Sequence, residues 1–171
     1  DHARALVDLE AVAAAMPQAA NHRSIGLFHY YLGRYPEAAA ALERALAAER
    51  GDHYVVIWRF LAQSRAGKAK EARPALVEAA KGLQPGKWPA AVVDHYLGKA
   101  TEPAMLAAAK NADPKVQADQ ACEAVFYAGI LKLTRNQAAQ ALPQLRAAEK
   151  DCPKDFVEYS AAVAELQRLK K

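Results

Sequence analysis

Apolar residues along the chain recur three or four positions apart and are interrupted by proline, glycine or asparagine, a pattern that predicts helices of about 10 to 17 residues joined by tight turns. Leu6, Leu9, Val12 and Met16 mark a first helix from Ala3 to Met16, stopped by Pro17. Ile25, Phe28, Tyr31 and Leu32 mark a second, with Asn21 as its expected cap and Gly33 as its end. Pro36 stands in the first turn of a third, running from Glu37 to about Glu49 with Leu42 and Leu46 one turn apart. Gly51 stops it and Asp52 caps the next. Helices are then expected from about His53 to Arg65 and from Lys70 to Lys81, the latter with Pro74 in its first turn. The run from Gly82 to Lys87 reads as a loop, followed by shorter elements around Trp88 to Leu97 and Glu102 to Lys110. A spacer through Asp113 and Pro114 leads to a hairpin from about Gln120 to Lys150, ended by Pro153, and Asp155 is the expected cap of a last helix reaching Leu169.

The helices pair into hairpins that repeat. Gly26, Gly33, Ala38 and Ala45 in the first hairpin match Gly129, Asn136, Ala141 and Ala148 in the last at identical spacings, with Leu42 and Leu145 in equivalent slots. Small residues let two antiparallel helices approach closely where large ones would hold them apart. A simple bundle would share the apolar stripe but not this repeated spacing, which favours a solenoid of hairpins.

Composition agrees with an all-α fold and excludes several classes. About a quarter of the 171 residues are alanine, the best helix former. With 53% of the chain hydrophobic, disorder is excluded; no apolar run reaches the roughly 20 residues of a membrane helix, and 2 cysteines are too few for a disulfide scaffold. The net charge of +4 is spread among nearly equal numbers of acidic and basic residues, without the stripes of a nucleic-acid binder. The chain begins Asp1-His2-Ala3-Arg4, as a mature form or a cut piece would.

The spacing resembles the tetratricopeptide repeat, a 34-residue helix-turn-helix unit with small residues at its eighth, twentieth and twenty-seventh positions. Gly26, Ala38 and Ala45 fit one repeat, and Gly129, Ala141, Ala148 and Pro153 another. The segment from His53 keeps Gly67, Ala72 and Ala79 but has Phe60 at a small-residue slot. The expected organisation is one all-α domain, a right-handed tetratricopeptide-like solenoid of antiparallel hairpins. It comprises an N-terminal helix (1–18), a repeat (19–52), a degenerate repeat (53–84), an irregular hairpin (85–119), a repeat (120–153) and a C-terminal capping helix (154–171). A narrower resemblance rests on Tyr31-Leu32-Gly33-Arg34-Tyr35, Trp58, Trp88-Pro89, Tyr96-Leu97-Gly98, Cys122-Glu123-Ala124, Phe126-Tyr127-Ala128-Gly129, Cys152-Pro153 and Phe156-Val157-Glu158-Tyr159. In that order these motifs are similar to bacterial envelope proteins of the Nlp-I type of tetratricopeptide lipoprotein. The resemblance implies a non-catalytic periplasmic adaptor that docks other envelope proteins, exported through a signal peptide since removed, and some members of the family work as dimers. No lipid-anchoring cysteine stands at the start of this chain.

In the repeat frame Cys122 and Cys152 lie near the first and thirty-first positions of the last repeat, where the two helices of a hairpin meet. A bridge there would indicate an oxidising compartment; two free thiols packed in the core are the alternative, and the pair falls short of the ligands zinc needs, so no metal is expected. His2, His22, His29, His53 and His95 show no metal-ligand spacing, and His29 reads as a packed histidine in a slot usually held by tyrosine. No nucleophile elbow, phosphate loop or dinucleotide turn is present, so neither catalytic residue nor cofactor is assigned. Glu43, Glu71, Asp94, Glu123 and Glu158 read as solvated faces or caps, and Trp58 and Trp88 as structural. The first helices of a repeat line its inner face. That places Arg23, Leu27, Tyr30 and Tyr31 from one hairpin, and Tyr54, Ile57, Leu61 and Arg65 from the next, as the expected protein- or peptide-binding residues. Three alternatives stand beside this reading: a cytosolic adaptor of the same fold, a helical enzyme or accessory domain with an unrecognised active site, and a homodimer packing through the helix from Ala3 to Met16.

Overall fold

Local hydrogen bonding accounts for where the helices start and stop in the computed structural model, which describes residues 2–170. Among those residues there are ten helices and no strand: α1 (His2–Ala15), α2 (Ala19–Tyr31), α3 (Tyr35–Ala48), α4 (His53–Arg65), α5 (Ala69–Ala80), α6 (Ala90–Tyr96), α7 (Glu102–Ala108), α8 (Pro114–Thr134), α9 (Ala138–Asp151) and α10 (Val157–Leu169). They fall into two compact units, Asp1–Gln84 with α1 to α5 and Pro85–Lys171 with α6 to α10.

Four turns share one design. Gly33, Gly67, Gly98 and Asn136 follow α2, α4, α6 and α8 with φ of 76°, 80°, 75° and 59°. Each donates its N–H to the carbonyl three residues back (Tyr30, Ser64, His95, Leu133), and the next residue donates to the carbonyl five back (His29, Gln63, Asp94, Lys132). This pair of hydrogen bonds satisfies the last carbonyls of a helix and requires a residue in the left-handed region, which glycine or asparagine adopts at least cost. The short hairpin α6–α7 therefore turns as the full-length ones do.

At helix starts the side chains decide. Asp52 Oδ1 accepts the N–H groups of Tyr54 (2.8 Å) and Val55 (3.2 Å), and Asp113 Oδ1 accepts those of Lys115 (2.8 Å) and Val116 (3.2 Å). Asp113 and Pro114 are thus a cap and first helical residue, not a spacer, and α8 runs through the stretch before Gln120. Asn21 is not a cap: α2 begins at Ala19, and Asn21 Nδ2 instead donates to the Met16 carbonyl at 2.8 Å. Asp155 is likewise displaced, since Phe156 holds the cap position of α10. Pro74 lies inside α5 and not in its first turn, with Pro143 similarly inside α9; both are exposed, where water can reach the freed carbonyl.

The second helix of three hairpins presents the same buried set: Ala38, Leu42 and Ala45 on α3, Ala72 and Leu76 on α5, and Ala141, Leu145 and Ala148 on α9. In the first unit Tyr30 packs edge-on against Trp58 (5.1 Å) and Tyr35 (5.2 Å), and Leu6 and Ala13 of α1 join Ile25 and Ala41. Phe60, at the slot held elsewhere by Gly26 and Gly129, is buried. In the second unit Cys122 and Cys152 form a disulfide with Cα atoms 5.2 Å apart, joining α8 to the residue that ends α9.

Two stability predictions follow from this packing. A Cβ at Gly26 would lie 2.6 Å from Leu42 Cγ, whereas one at Gly129 would lie 3.0 Å from Gln144 Cβ. Overpacking of about 1–3 kcal/mol offsets or exceeds the roughly 1 kcal/mol gained in helix propensity at Gly26, so Gly26→Ala is expected to lose up to about 2 kcal/mol and Gly129→Ala less, measured by urea unfolding. The disulfide closes 30 residues, and the Cys122→Ser, Cys152→Ser double variant is expected to lose about 3–4 kcal/mol while retaining its helical circular dichroism.

Candidate partner-binding surface

The eight residues expected on the inner face of α2 and α4 separate by polarity. Leu27, Tyr30, Tyr31, Ile57 and Leu61 are buried, Tyr30, Ile57 and Leu61 completely. Their apolar bodies gain more from the core than from a wet face, and Tyr31 adds an edge-on contact with Phe28 at 5.8 Å. They shape the surface from beneath. Arg23, Tyr54 and Arg65 remain partly exposed.

Together with Tyr35 they form two arginine-tyrosine pairs. Arg23 Cζ lies 5.8 Å from the Tyr54 ring centroid, and Arg23 Nη1 is 3.5 Å from Asp52 Oδ2, while the other oxygen of Asp52 caps α4. Arg65 Cζ lies 4.9 Å from the Tyr35 ring, and Arg65 Nη2 donates to the Tyr35 hydroxyl at 2.8 Å. The two pairs stand at opposite ends of α4, about 16 Å apart at 1.5 Å per residue. Each holds a guanidinium over a ring, with a polar partner that fixes the side chain in advance. Such an arrangement suits carboxylates or carbonyls of a bound chain. Sequence reasoning missed Tyr35 and Asp52, whose partners lie 30 and 29 residues away. The signal was present as a separation of nearly one repeat.

Elsewhere the titratable groups are tied into packing. Glu123, expected at a solvated face, is buried and accepts from Trp88 Nε1 at 2.8 Å; Glu158, also expected there, is 2% exposed and accepts from the Tyr127 hydroxyl at 2.7 Å. The Tyr96 hydroxyl donates to the Tyr127 carbonyl at 3.0 Å, and burial pushes the Tyr96 phenol well above its ordinary range. His29 is buried with Nε2 3.5 Å from Glu10 Oε1; burial lowers its pKa, against the opposing pull of Glu10. Among the described residues no three His, Cys, Asp or Glu side chains gather to hold a metal ion, and no helix is long and apolar enough to cross a membrane.

Helical hairpins with a shared turn and a shared small-residue interface define an all-α fold of the tetratricopeptide type. The chain is 34% identical over 151 residues, 87% of its length, to the protein named lipoprotein NlpI homolog of Haemophilus influenzae. It covers 48% of that protein, and so spans about half the length of this relative. No family model matches the chain.

Glu102 supports a prediction of pH dependence in the second unit. Its Oε1 accepts from Lys132 Nζ at 3.0 Å and Gln144 Nε2 at 2.8 Å, and Lys132 Nζ also donates to Gln144 Oε1 at 2.7 Å. Burial raises its pKa, but the two hydrogen bonds and the Lys132 charge outweigh burial and hold it below 4.5. A carboxylate depressed on folding stabilises above its unfolded pKa, and that contribution is lost as pH falls through the folded value. Glu102→Gln is therefore expected to lower the urea midpoint at pH 7, with the gap to the unchanged protein shrinking as the acid limb is crossed.

Proposed function

We propose that this chain is a non-catalytic adaptor of the bacterial envelope that binds a protein or peptide across the first helices of its hairpins, with Arg23, Tyr54 and Arg65 as contact residues. The observation that carries this reading is the pair of arginine-tyrosine arrangements left at the surface while their apolar neighbours fill the core. Arginine and tyrosine combine apolar area with directed donors and dominate the energetics of protein interfaces. The relative's name, a lipoprotein, supports the envelope, and so does the disulfide, which persists in oxidising compartments such as the periplasm.

The direct test is affinity capture from an extract of the native host. The unchanged chain and an Arg23→Ala, Tyr54→Ala, Arg65→Ala variant serve as parallel baits, after circular dichroism has shown both folded. Enrichment of one or a few envelope proteins by the unchanged bait, reduced at least tenfold with the variant, is the expected outcome. Equal enrichment by both baits would move the interface elsewhere, and no enrichment by either would defeat the adaptor reading. Location has its own measurement. Thiol alkylation of intact cells before lysis is expected to leave Cys122 and Cys152 unmodified; alkylation of both without reductant would place the chain in a reducing compartment.

A further inference from the structure

A second concave surface lies in the first unit, between α3 and α5 and over α4, with a volume of about 670 Å³. It is formed from the second helices of two hairpins, away from the arginine-tyrosine pairs. Leu46 of α3, Val56 of α4, and Ala75 and Ala79 of α5 supply its apolar lining, and the alanines leave the space that larger residues would fill. Its size falls in the range of pockets that enclose a few side chains.

One residue accounts for why the groove stays open. Arg59 projects from α4 between the two outer helices, only 8% exposed; its Nη1 donates to Glu43 Oε2 of α3 at 2.6 Å and its Nη2 to the Ala75 carbonyl of α5 at 3.0 Å. It is a polar strut where an aliphatic side chain would let α3 and α5 close together. At the far end the turns after α3 and α5 meet: a Cβ on Gly51, whose φ is 92°, would lie 3.6 Å from the Gly82 carbonyl.

The charges of the lining do not cancel. Glu43 is committed to Arg59, and Glu78 to Lys81. Arg50 lines the same end and makes no hydrogen bond or ion pair among the described residues. An apolar trough ending in one uncommitted guanidinium selects an aliphatic group followed by a carboxylate, which arginine takes in bidentate fashion. Leu46 lies in the last turn of α3, and Arg50 follows just beyond the helix, past the extended residue Glu49, so both line the same end of the groove. In an extended chain residues two apart project from one face, about 6.6 Å apart, the shortest spacing at which one segment presents an aliphatic group and a carboxylate to the same groove.

We propose that the groove between α3 and α5 binds an extended segment of a partner protein carrying an aliphatic side chain and, two residues later, an aspartate or glutamate. The proposal depends on the chain's being a protein-binding module, but not on the face of α2 and α4. The probes are three acetylated and amidated peptides, Ser-Leu-Ser-Glu-Ser, Ser-Leu-Ser-Lys-Ser and Ser-Ser-Ser-Glu-Ser, titrated into the full nitrogen-15-labelled chain and followed by amide chemical shifts.

The expected result is shift changes at amides of residues 43–59 and 75–82, with the first peptide binding at least tenfold more tightly than either control and weakening as salt is added. Arg50→Glu should lose at least tenfold in affinity for it, and Ala79→Trp, which fills the trough, should abolish the shifts; both changes are at positions outside the fully buried core, and dispersed spectra report their folding. Arg23→Ala, Tyr54→Ala should leave the titration unchanged. Equal binding of the lysine peptide, absence of groove shifts at millimolar peptide, or indifference to Arg50→Glu would overturn the proposal. Loss of binding in the Arg23→Ala, Tyr54→Ala variant alone would also overturn it, by moving the peptide to the adaptor face, and would leave the adaptor reading standing.

Discussion

A single residue in the left-handed backbone region closes the first helix of each hairpin, and the packing of each hairpin depends on it. The bond from Gly33, Gly67, Gly98 or Asn136 to the carbonyl three residues back, with the next amide reaching five back, reverses the chain within a few residues. The second helix can then run back along the first. Small side chains set how near it comes: Gly26 lies against Leu42 and Ala38, and Gly129 against Gln144, Leu145 and Ala141. Turn and interface constrain each other, because a change at the turn would shift the register at which Ala38, Leu42 and Ala45 meet the preceding helix.

That coupling is why so much of the fold could be read from the sequence. Glycine and alanine occupy few backbone and packing environments, so their repetition at fixed spacing carries geometric meaning, and the tripeptide Tyr31-Leu32-Gly33 recurring as Tyr96-Leu97-Gly98 marked two such turns. The start of α8 was less legible. Residues 114–118 are exposed and carry no apolar period, so only the Asp113 cap and Pro114 announced a helix there. The candidate surface was legible by residue type and not by face. Periodicity says that Tyr30, Ile57 and Leu61 share a side of their helices, but burial on that side depends on neighbours about thirty residues away, as Trp58 is for Tyr30. Charge does not settle the face either: Arg23 and Arg65 stayed partly exposed, whereas Arg59 on the same helix as Arg65 is buried.

The arginines show how far burial alters the role of one side chain. Arg23 and Arg65 lie against tyrosine rings in residues that stay partly exposed. Arg59 is closed in by Glu43 and the Ala75 carbonyl, and removing either partner would strand a buried charge. The first two suit recognition and the third suits spacing. Only the arginine end of this ion pair is buried, Glu43 being exposed, and what the pair sets is the separation of α3 from α5.

The second unit meets a different demand with a different device. Helices α6 and α7 have 7 residues each, against 13 and 14 in α2 and α3, and so bury less apolar surface for the entropy lost on ordering them. Directional bonds supplement that burial. Trp88 and Tyr96 bind Glu123 and the Tyr127 carbonyl of α8, and Glu102 at the start of α7 binds Lys132 of α8 and Gln144 of α9. The Tyr127 hydroxyl extends the chain of bonds to Glu158 of α10, so α6, α8 and α10 are linked through one tyrosine. The buried carboxylates Glu123 and Glu158 are the acceptors through which α8 and α10 take these bonds. Their value lies in geometry: an apolar contact tolerates sliding, whereas a hydrogen bond weakens steeply when its angle departs from linear. A repeat too short to be positioned by packing alone is positioned by the few bonds that admit one arrangement.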